Sequence, residues 1–279
     1  MYYPESIDEL VDIVLQCQNE RQEYYVFGHT SNSYFLPSFS PDVVISILRL
    51  RGYVEEEGKI TVECGMYSKV LAKMMIEKGF QGFEGLVDLP GTVSGAIYGN
   101  AGCYGCLMSE KMLSAKILSE NGEIVDYSKD EFGFKERSSK LKEKLIRGTI
   151  LTVTFEEIKG DVEKMKKKAQ FAHEDRLKNQ PGPVNNLGSI FKRDELTILG
   201  TWLRRIGRYT AKIIKIPEDS HSILKLKLFL AGYYDLEKYL FDINRFIWKD
   251  STSHKAFERY LDLRKKLYKN NDLEIEIFK

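Results

Sequence analysis

The chain has 279 residues, 43% hydrophobic and 30% charged, with 42 Lys and Arg against 41 Asp and Glu. That length allows one large or two medium domains, each with its own core, and a formal charge of +1 gives no electrostatic reason to expect a nucleic-acid partner. No apolar run approaches a membrane span and MYYPESIDEL lacks the basic start and apolar core of a secretory signal, so a soluble cytoplasmic protein without a membrane partner is expected.

Residues 5–20 carry Leu10, Val11, Val14 and Leu15 at helical spacing, with Ser6 placed as N-cap and Glu9 three residues on. A β-prone run at 24–27 then feeds Gly28-His29-Thr30-Ser31-Asn32. A strand running into small polar residues suits a phosphate, because successive N–H groups and hydroxyls converge there. It is neither a P-loop, lacking Gly-Lys-Ser/Thr, nor a Gly-x-Gly-x-x-Gly fingerprint, and an ordinary turn is the plain alternative. Strands are expected at 43–48 and 59–64, and MYSKVLAKMMIEKGF reads as a helix ended near Gly79.

Between Gly79 and Gly105 fall eight of the 21 glycines, interleaved with Thr92, Ser94, Ala96, Asn100 and Ala101. Glycine is costly in regular elements and serves where backbone takes positive φ or approaches another group closely. Such a run exposes peptide N–H groups that could line an extended anion of the dinucleotide kind; a series of tight turns is the alternative. Strands at 112–118 and 122–127 flank an Asn121-Gly122 turn, and TILTVTF at 149–155 alternates as a strand. The charged helical stretch 160–179 marks a domain junction, giving an α+β first domain over 1–158 and a second over 159–279. PGPVNNLGSIFKR then holds Ser189 in a rigid turn containing Pro181, Gly182 and Pro183. A helix is expected at 257–267 and a final strand at 273–277.

Cys103 and Cys106 form a Cys-x-x-Cys, but no second Cys pair or spaced His pair accompanies it, since His29, His173, His221 and His254 are scattered. No metal site is expected; a thiol-redox pair and coincidence within a glycine-rich turn stay open.

FGHTSN at 27–32, GFEGLVDLPGTVSGAIYGNAGCYG at 82–105, FGFKERS at 132–138 and RLKNQPGPVNNLGSIFK at 176–192, taken together and in this order, resemble the UDP-N-acetylenolpyruvoylglucosamine reductase (MurB) family. These are flavoenzymes of peptidoglycan precursor synthesis, and the spacing fits the variant with the shorter C-terminal domain. LEIEI at 273–277 is a weaker fifth match. The resemblance covers residues 4–192 well and the remainder in patches. It implies a two-lobed FAD-binding domain of the vanillyl-alcohol oxidase (PCMH) type, followed by a MurB-like α+β domain that binds a small nucleotide-sugar substrate. NADPH would reduce FAD, and hydride would then pass to an enolpyruvyl ether.

Residue by residue, the resemblance implies that Gly28, His29, Thr30, Ser31, Asn32 and Ser33, with Pro90, Gly91, Thr92, Ser94, Gly95, Asn100, Ala101 and Gly102, bind the cofactor. Ser189 falls on the family's proton donor, tuned by Lys192 or Glu276, and Glu276 on its C-terminal glutamate; an acidic stripe with Glu274 is the alternative. Lys135 stands where the family has an arginine, keeping the charge that offsets developing negative charge but losing the bidentate fork; a solvated lysine is the alternative. Arg176, Gln180 and Lys192 fall near substrate.

The chain departs from the family at several points. His29-Thr30 replace two glycines, Ser94 replaces another, and the family's first strand with its Gly-Gly pair would precede residue 1. Side chains of His29 or Tyr98 filling the groove would exclude a flavin. No Ser-x-x-His-x-Asn-Phe loop is recognisable in 193–272, which leaves room for another nucleotide sugar of surface polysaccharide synthesis, or for a non-catalytic binding module. Oligomeric state is not legible.

Overall fold

The computed structural model describes residues 1–182, 185–192, 194–213 and 220–279; Pro183 of the expected rigid turn lies outside the described residues. The chain forms two compact units, one of residues 1–30 and 38–179, the other of residues 31–37 and 180–279.

Helix α1 (Ile7–Asn19) starts as expected, with Ser6 Oγ accepting the Glu9 N–H, and buries Leu10, Val14 and Cys17. Strand β1 (Tyr24–Phe27) is followed by β2 (Ser33–Phe35), which the chain contributes to the second unit, and by β3 (Val43–Ser46). β1 pairs in parallel with β3, and Tyr2 bridges Ile45 on it. β4 (Tyr53–Glu56) and β5 (Lys59–Glu63) form a hairpin that leads into α2 (Ser68–Glu77). The glycine-rich stretch, expected as turns and loops, contains a short helix α3 (Val93–Tyr98) and then the small hairpin β6 (Gly102–Cys103) and β7 (Cys106–Leu107). β8 (Met112–Ser119), β9 (Ile124–Ser128) and β10 (Gly148–Glu156) complete an antiparallel sheet of order β4-β5-β10-β8-β9. A register shift between Ile150 and Thr152 lets consecutive Ile150 and Leu151 both enter the core, which simple alternation would forbid.

Helix α4 (Val162–Asn179) was assigned by sequence to the second domain, but it belongs to the first unit. Its Met165 and Ala172 pack on Ile76 and Val87. The division therefore falls after Asn179 rather than at 158/159. Only two side chains of this largely charged helix are buried, and so thin a stripe is easily read as a linker.

In the second unit, α5 (Ile198–Ile213), α6 (Ser220–Ala231), the hairpin of β11 (Leu240–Asp242) and β12 (Arg245–Phe246), and α7 (Ser253–Leu267) surround a core of their own. Its centre is aromatic: Tyr34 lies 4.7 Å from Phe257 and Phe246 4.7 Å from Trp248, ring centre to ring centre. The last strand, β13 (Glu276–Phe278), begins later than the expected 273–277 and pairs in parallel with β2, Glu276 level with Ser33. The residues before it run antiparallel to the Ser189 segment, with Phe191 bridging Leu273.

Candidate functional site

The two glycine-bearing loops singled out by sequence meet within the first unit. A Cβ on Gly28 would lie 2.4 Å from Thr92 Oγ1 and 2.9 Å from its Cγ2, so glycine is what lets the end of β1 touch the start of α3. Thr92 is 2% exposed, and its hydroxyl caps α3 by accepting the Gly95 N–H. Thr30 and Gly91 hold positive φ of 51° and 97°, bending both loops at the junction. His29, Thr30 and Pro90 are exposed and Gly28 half-buried, so the junction opens to solvent.

Asn100 anchors the far end of the α3 loop. It is buried with φ 45°, donates from Nδ2 to Lys135 O (2.8 Å) and accepts from Ser109 Oγ (2.6 Å). The Ala101 N–H closes onto Ala96 O. Arg137, also at positive φ (53°), donates from Nη2 to Gly102 O (3.1 Å) and from Nη1 to Asn100 O (3.5 Å). Ser139 Oγ donates to Tyr98 O (2.7 Å). The 132–139 segment is thus tied to the glycine loop by Arg137 and Ser139, whereas Lys135 is exposed and ion-paired with Glu143 at 3.0 Å. Sequence reading put the cation at Lys135; the guanidinium two residues on is the one that reaches the loop. No spacing in the sequence separates Arg137 from Lys135; the chain reversal between Lys135 and Ser138 does.

Four side chains threatened a bound diphosphate: Thr30 is exposed, and the other three have partners of their own. His29 sets its ring edge-on to Tyr67, 5.7 Å away. Ser94 turns its hydroxyl inward to Cys64 O at 2.8 Å. Tyr98 packs on the core. A solvent-facing junction of bent backbone with a helix start suits FAD, so the residues present fit that cofactor.

The remaining expected residues fall elsewhere. Ser31, Asn32 and Ser33 lie in the second unit, where Asn32 Nδ2 donates to Glu274 O and Asn32 O accepts from Glu276 N. Ser189 is half-buried, follows Gly188 at φ 71°, and precedes Ile190, whose carbonyl accepts the Glu274 N–H. Ser189 and Glu276 therefore sit on neighbouring segments of one unit. Lys192 is half-buried in the same segment, its N–H on Asp272 O; Gln180 is the first residue of that unit's long C-terminal stretch. Arg176, half-buried in the last turn of α4, lies close enough to Cys103 to oppose the effect of burial on its thiol.

The Cys-x-x-Cys is the β6–β7 hairpin, with Tyr104 and Gly105 at positive φ in its turn and Cys103 level with Cys106. Cys103 Sγ donates to Gly85 O, and Cys106 Sγ accepts from the Gly85 N–H. Burial pushes the Cys103 thiol up to about 11 and also raises Cys106, the opposite of what a redox nucleophile needs. Among the described residues no group of three His, Cys, Asp or Glu could hold a metal ion. No described helix is long and apolar enough to cross a membrane.

Residues 1–128 match the FAD binding domain family. The UDP-N-acetylenolpyruvoylglucosamine reductase of Caldanaerobacter subterraneus is 29% identical over 84% of this chain and 77% of its own length. That of Clostridium kluyveri is 31% identical over 78% of this chain, a match spanning 66% of the relative. In fold, the crystal structure of the Thermus caldophilus UDP-N-acetylenolpyruvylglucosamine reductase (MurB) superposes with a TM-score of 0.68 at 20% identity, covering 99% of this chain and 91% of that one. With the joined loops and their open cradle, these likenesses make the chain a member of the UDP-N-acetylenolpyruvoylglucosamine reductase family, with FAD as its cofactor.

Proposed function

We propose that this chain is an NADPH-using reductase of the enolpyruvyl ether of a UDP-linked N-acetylglucosamine. The observation that carries the reading is the contact of Gly28 with Thr92, which joins the turn after β1 to the loop before α3 as one cradle. The chemistry FAD supplies when bound is hydride transfer. Gly28, His29, Thr30 and the 90–95 loop would hold its diphosphate, and Asn100, Ala101 and Gly102 keep the rest of the loop in shape.

Reduction of the double bond builds negative charge beside the substrate carboxylate, so a fixed cation lowers the barrier. Arg137 fills that role better than Lys135, because its guanidinium is already held on the glycine loop while the Lys135 ammonium is occupied by Glu143. The Ser189 hydroxyl gives the proton to the second carbon. A serine is a weak acid, so Lys192 and Glu276 support that transfer electrostatically. Arg176 and Gln180 take the sugar nucleotide. A second reading, a related reductase for a different nucleotide sugar, draws on the helices α5 and α6 in the stretch where the expected Ser-x-x-His-x-Asn-Phe loop has no counterpart in sequence.

The test is spectroscopic. Purified protein with FAD bleaches anaerobically with NADPH, and the colour returns on adding the enolpyruvyl sugar nucleotide. Ser189→Ala leaves bleaching intact and slows the return by at least ~100-fold. Bleaching without return favours the second reading, and equal loss of both steps removes Ser189 from proton transfer.

A further inference from the structure

Helix α5 turns an apolar stripe away from its own core. Gly200 and Leu203 are buried, and a Cβ on Gly200 would lie 2.2 Å from Leu267 O, so this side of α5 faces α7. Ile198, Trp202, Arg205 and Tyr209 recur at i, i+4, i+7 and i+11, along the opposite side. Ile198 is 92% exposed, Trp202 52% and Tyr209 70%, and Leu199 is exposed at the edge of the stripe. The outer face of a helix in a soluble protein ordinarily carries charged and polar residues. One exposed apolar side chain needs no explanation, but a stripe at helical spacing that includes a tryptophan marks a contact surface.

The charge around the stripe has one sign. Residues 196–217 hold Arg204, Arg205, Arg208, Lys212 and Lys215 and no Asp or Glu, and α6, which packs against α5, has no acidic residue either. Arg204 and Arg205 are exposed. Glu195, just before the helix, is paired with Lys269, Asp262 of α7 with Lys266, and Asp242, which shares a pocket wall with Arg204, with Arg245. What covers the stripe must therefore be apolar where Ile198 and Trp202 enter it and negative around them. A bilayer of anionic phospholipid has that order, acyl carbon beneath a plane of phosphates, and aromatic rings settle at the boundary between the two.

We propose that α5 docks the protein on a membrane surface rich in anionic phospholipid, lying flat with Ile198, Trp202 and Tyr209 among the upper acyl carbons and its arginines at the phosphates. Neither the overall charge of +1 nor the lack of a long apolar helix among the described residues bears on a helix held this way, since it lies on the bilayer and does not span it. The stripe shares no residue with the FAD junction or the Ser189 segment, and the inference stands whether or not the reductase reading holds. Each basic residue at such a surface is worth about fivefold in affinity.

The full chain is sedimented with vesicles of phosphatidylcholine alone, or of phosphatidylcholine and phosphatidylglycerol in equal parts. The expected result is partition onto the phosphatidylglycerol vesicles only, weakened at least ~10-fold in ~0.5 M salt. The Ile198→Ser/Trp202→Ser double variant loses at least ~10-fold and Arg205→Gln about fivefold, each with the parent's circular dichroism and melting temperature. Trp202→Phe keeps the binding but loses the blue shift in tryptophan emission that the vesicles induce. Equal partition onto phosphatidylcholine, or undiminished binding by the double variant, overturns the proposal. Should the double variant fail to fold, undiminished binding by Arg205→Gln, or a blue shift that survives in Trp202→Phe, overturns it. So does a concentration-dependent dimer that the double variant dissolves, without vesicle binding, which assigns the stripe to a second copy of this chain.

Discussion

Gly28→Ala tests the junction on which the cofactor cradle rests. The added methyl would sit 2.4 Å from Thr92 Oγ1, 2.9 Å from its Cγ2 and 3.2 Å from its Cβ, and Thr92 is buried, so it cannot swing into solvent. Forcing a methyl into a packed site costs ~1–3 kcal/mol. Displacing the hydroxyl that accepts the Gly95 N–H also removes the α3 cap, worth ~1 kcal/mol. Together these give about 2–4 kcal/mol, or ~5–15 °C in the melting temperature of a unit this size, with weakened FAD binding. Thr92→Ala alone loses the cap, ~1 kcal/mol, and in that background Gly28→Ala meets only a methyl and costs well under ~1 kcal/mol. Denaturant unfolding of the four proteins gives the coupling. If Gly28→Ala costs the same with and without the Thr92 side chain, or nothing in either, the two loops do not meet as described.

Glu84 is buried, and burial raises its pKa, but the Gly82 N–H, its own N–H and the Lys168 ammonium outweigh that and hold it below the ordinary value. A depressed folded pKa confers stability that is full above the unfolded carboxyl's ~4.3 and is lost as pH falls through the lower folded value. Glu84→Gln should therefore cost ~1–3 kcal/mol at pH 7 and flatten the acid limb of stability against pH; an acid limb like the parent's would refute this. Asn100→Ala breaks the bonds to Lys135 O and Ser109 at positive φ and should lose ~2–4 kcal/mol in urea unfolding. Asn100→Gly should recover ~1 kcal/mol of that, and equal losses would show that backbone strain is irrelevant there. With its thiol pushed to about 11 from 9.0, Cys103 should react with iodoacetamide at pH 7 roughly 100-fold slower than an unperturbed thiol, read by mass mapping; a half-time like that of free cysteine contradicts the burial.

Elements whose cause is local were legible in the sequence. Ser6, Glu9 and the apolar stripe of α1 fix that helix without help from the rest of the chain, and Asn121-Gly122 sets the β8–β9 hairpin with Gly122 at φ 81°. What escaped depends on contacts distant in sequence. Helix α3 lies inside a glycine-rich run of low helical propensity, and it forms because Thr92 caps it and buried Val93, Ala96 and Ile97 seat it on the core. The domain boundary slid because α4 buries only Met165 and Ala172 in the first unit, and its other ties there, such as Lys168 to Glu84 and His173 to Asp88, pair residues distant in sequence. β2 was invisible as part of the second unit, since nothing in Ser33–Phe35 announces that its partner is Glu276–Phe278.

The site shows the same division with a sharper consequence. Small residues revealed that backbone must come close, and Gly28 and Thr92 do touch, but types and spacing could not say which cation faces the loop. Lys135 and Arg137 differ by two residues, and in an extended strand they would share a side. Between them the chain instead turns back on itself, with Lys135 N–H on Ser138 O, Ser138 N–H on Lys135 O, and Arg137 at φ 53°. That reversal sends the lysine out to Glu143 and the arginine in to Gly102. A non-glycine residue at positive φ is held there by surrounding structure at a cost of order 1–3 kcal/mol, and here the restraint is the pair of carbonyls the guanidinium grips. The strain at Arg137 and its hold on the glycine loop are thus one feature, and the position of the charge follows from the turn rather than from the residue that aligns with it.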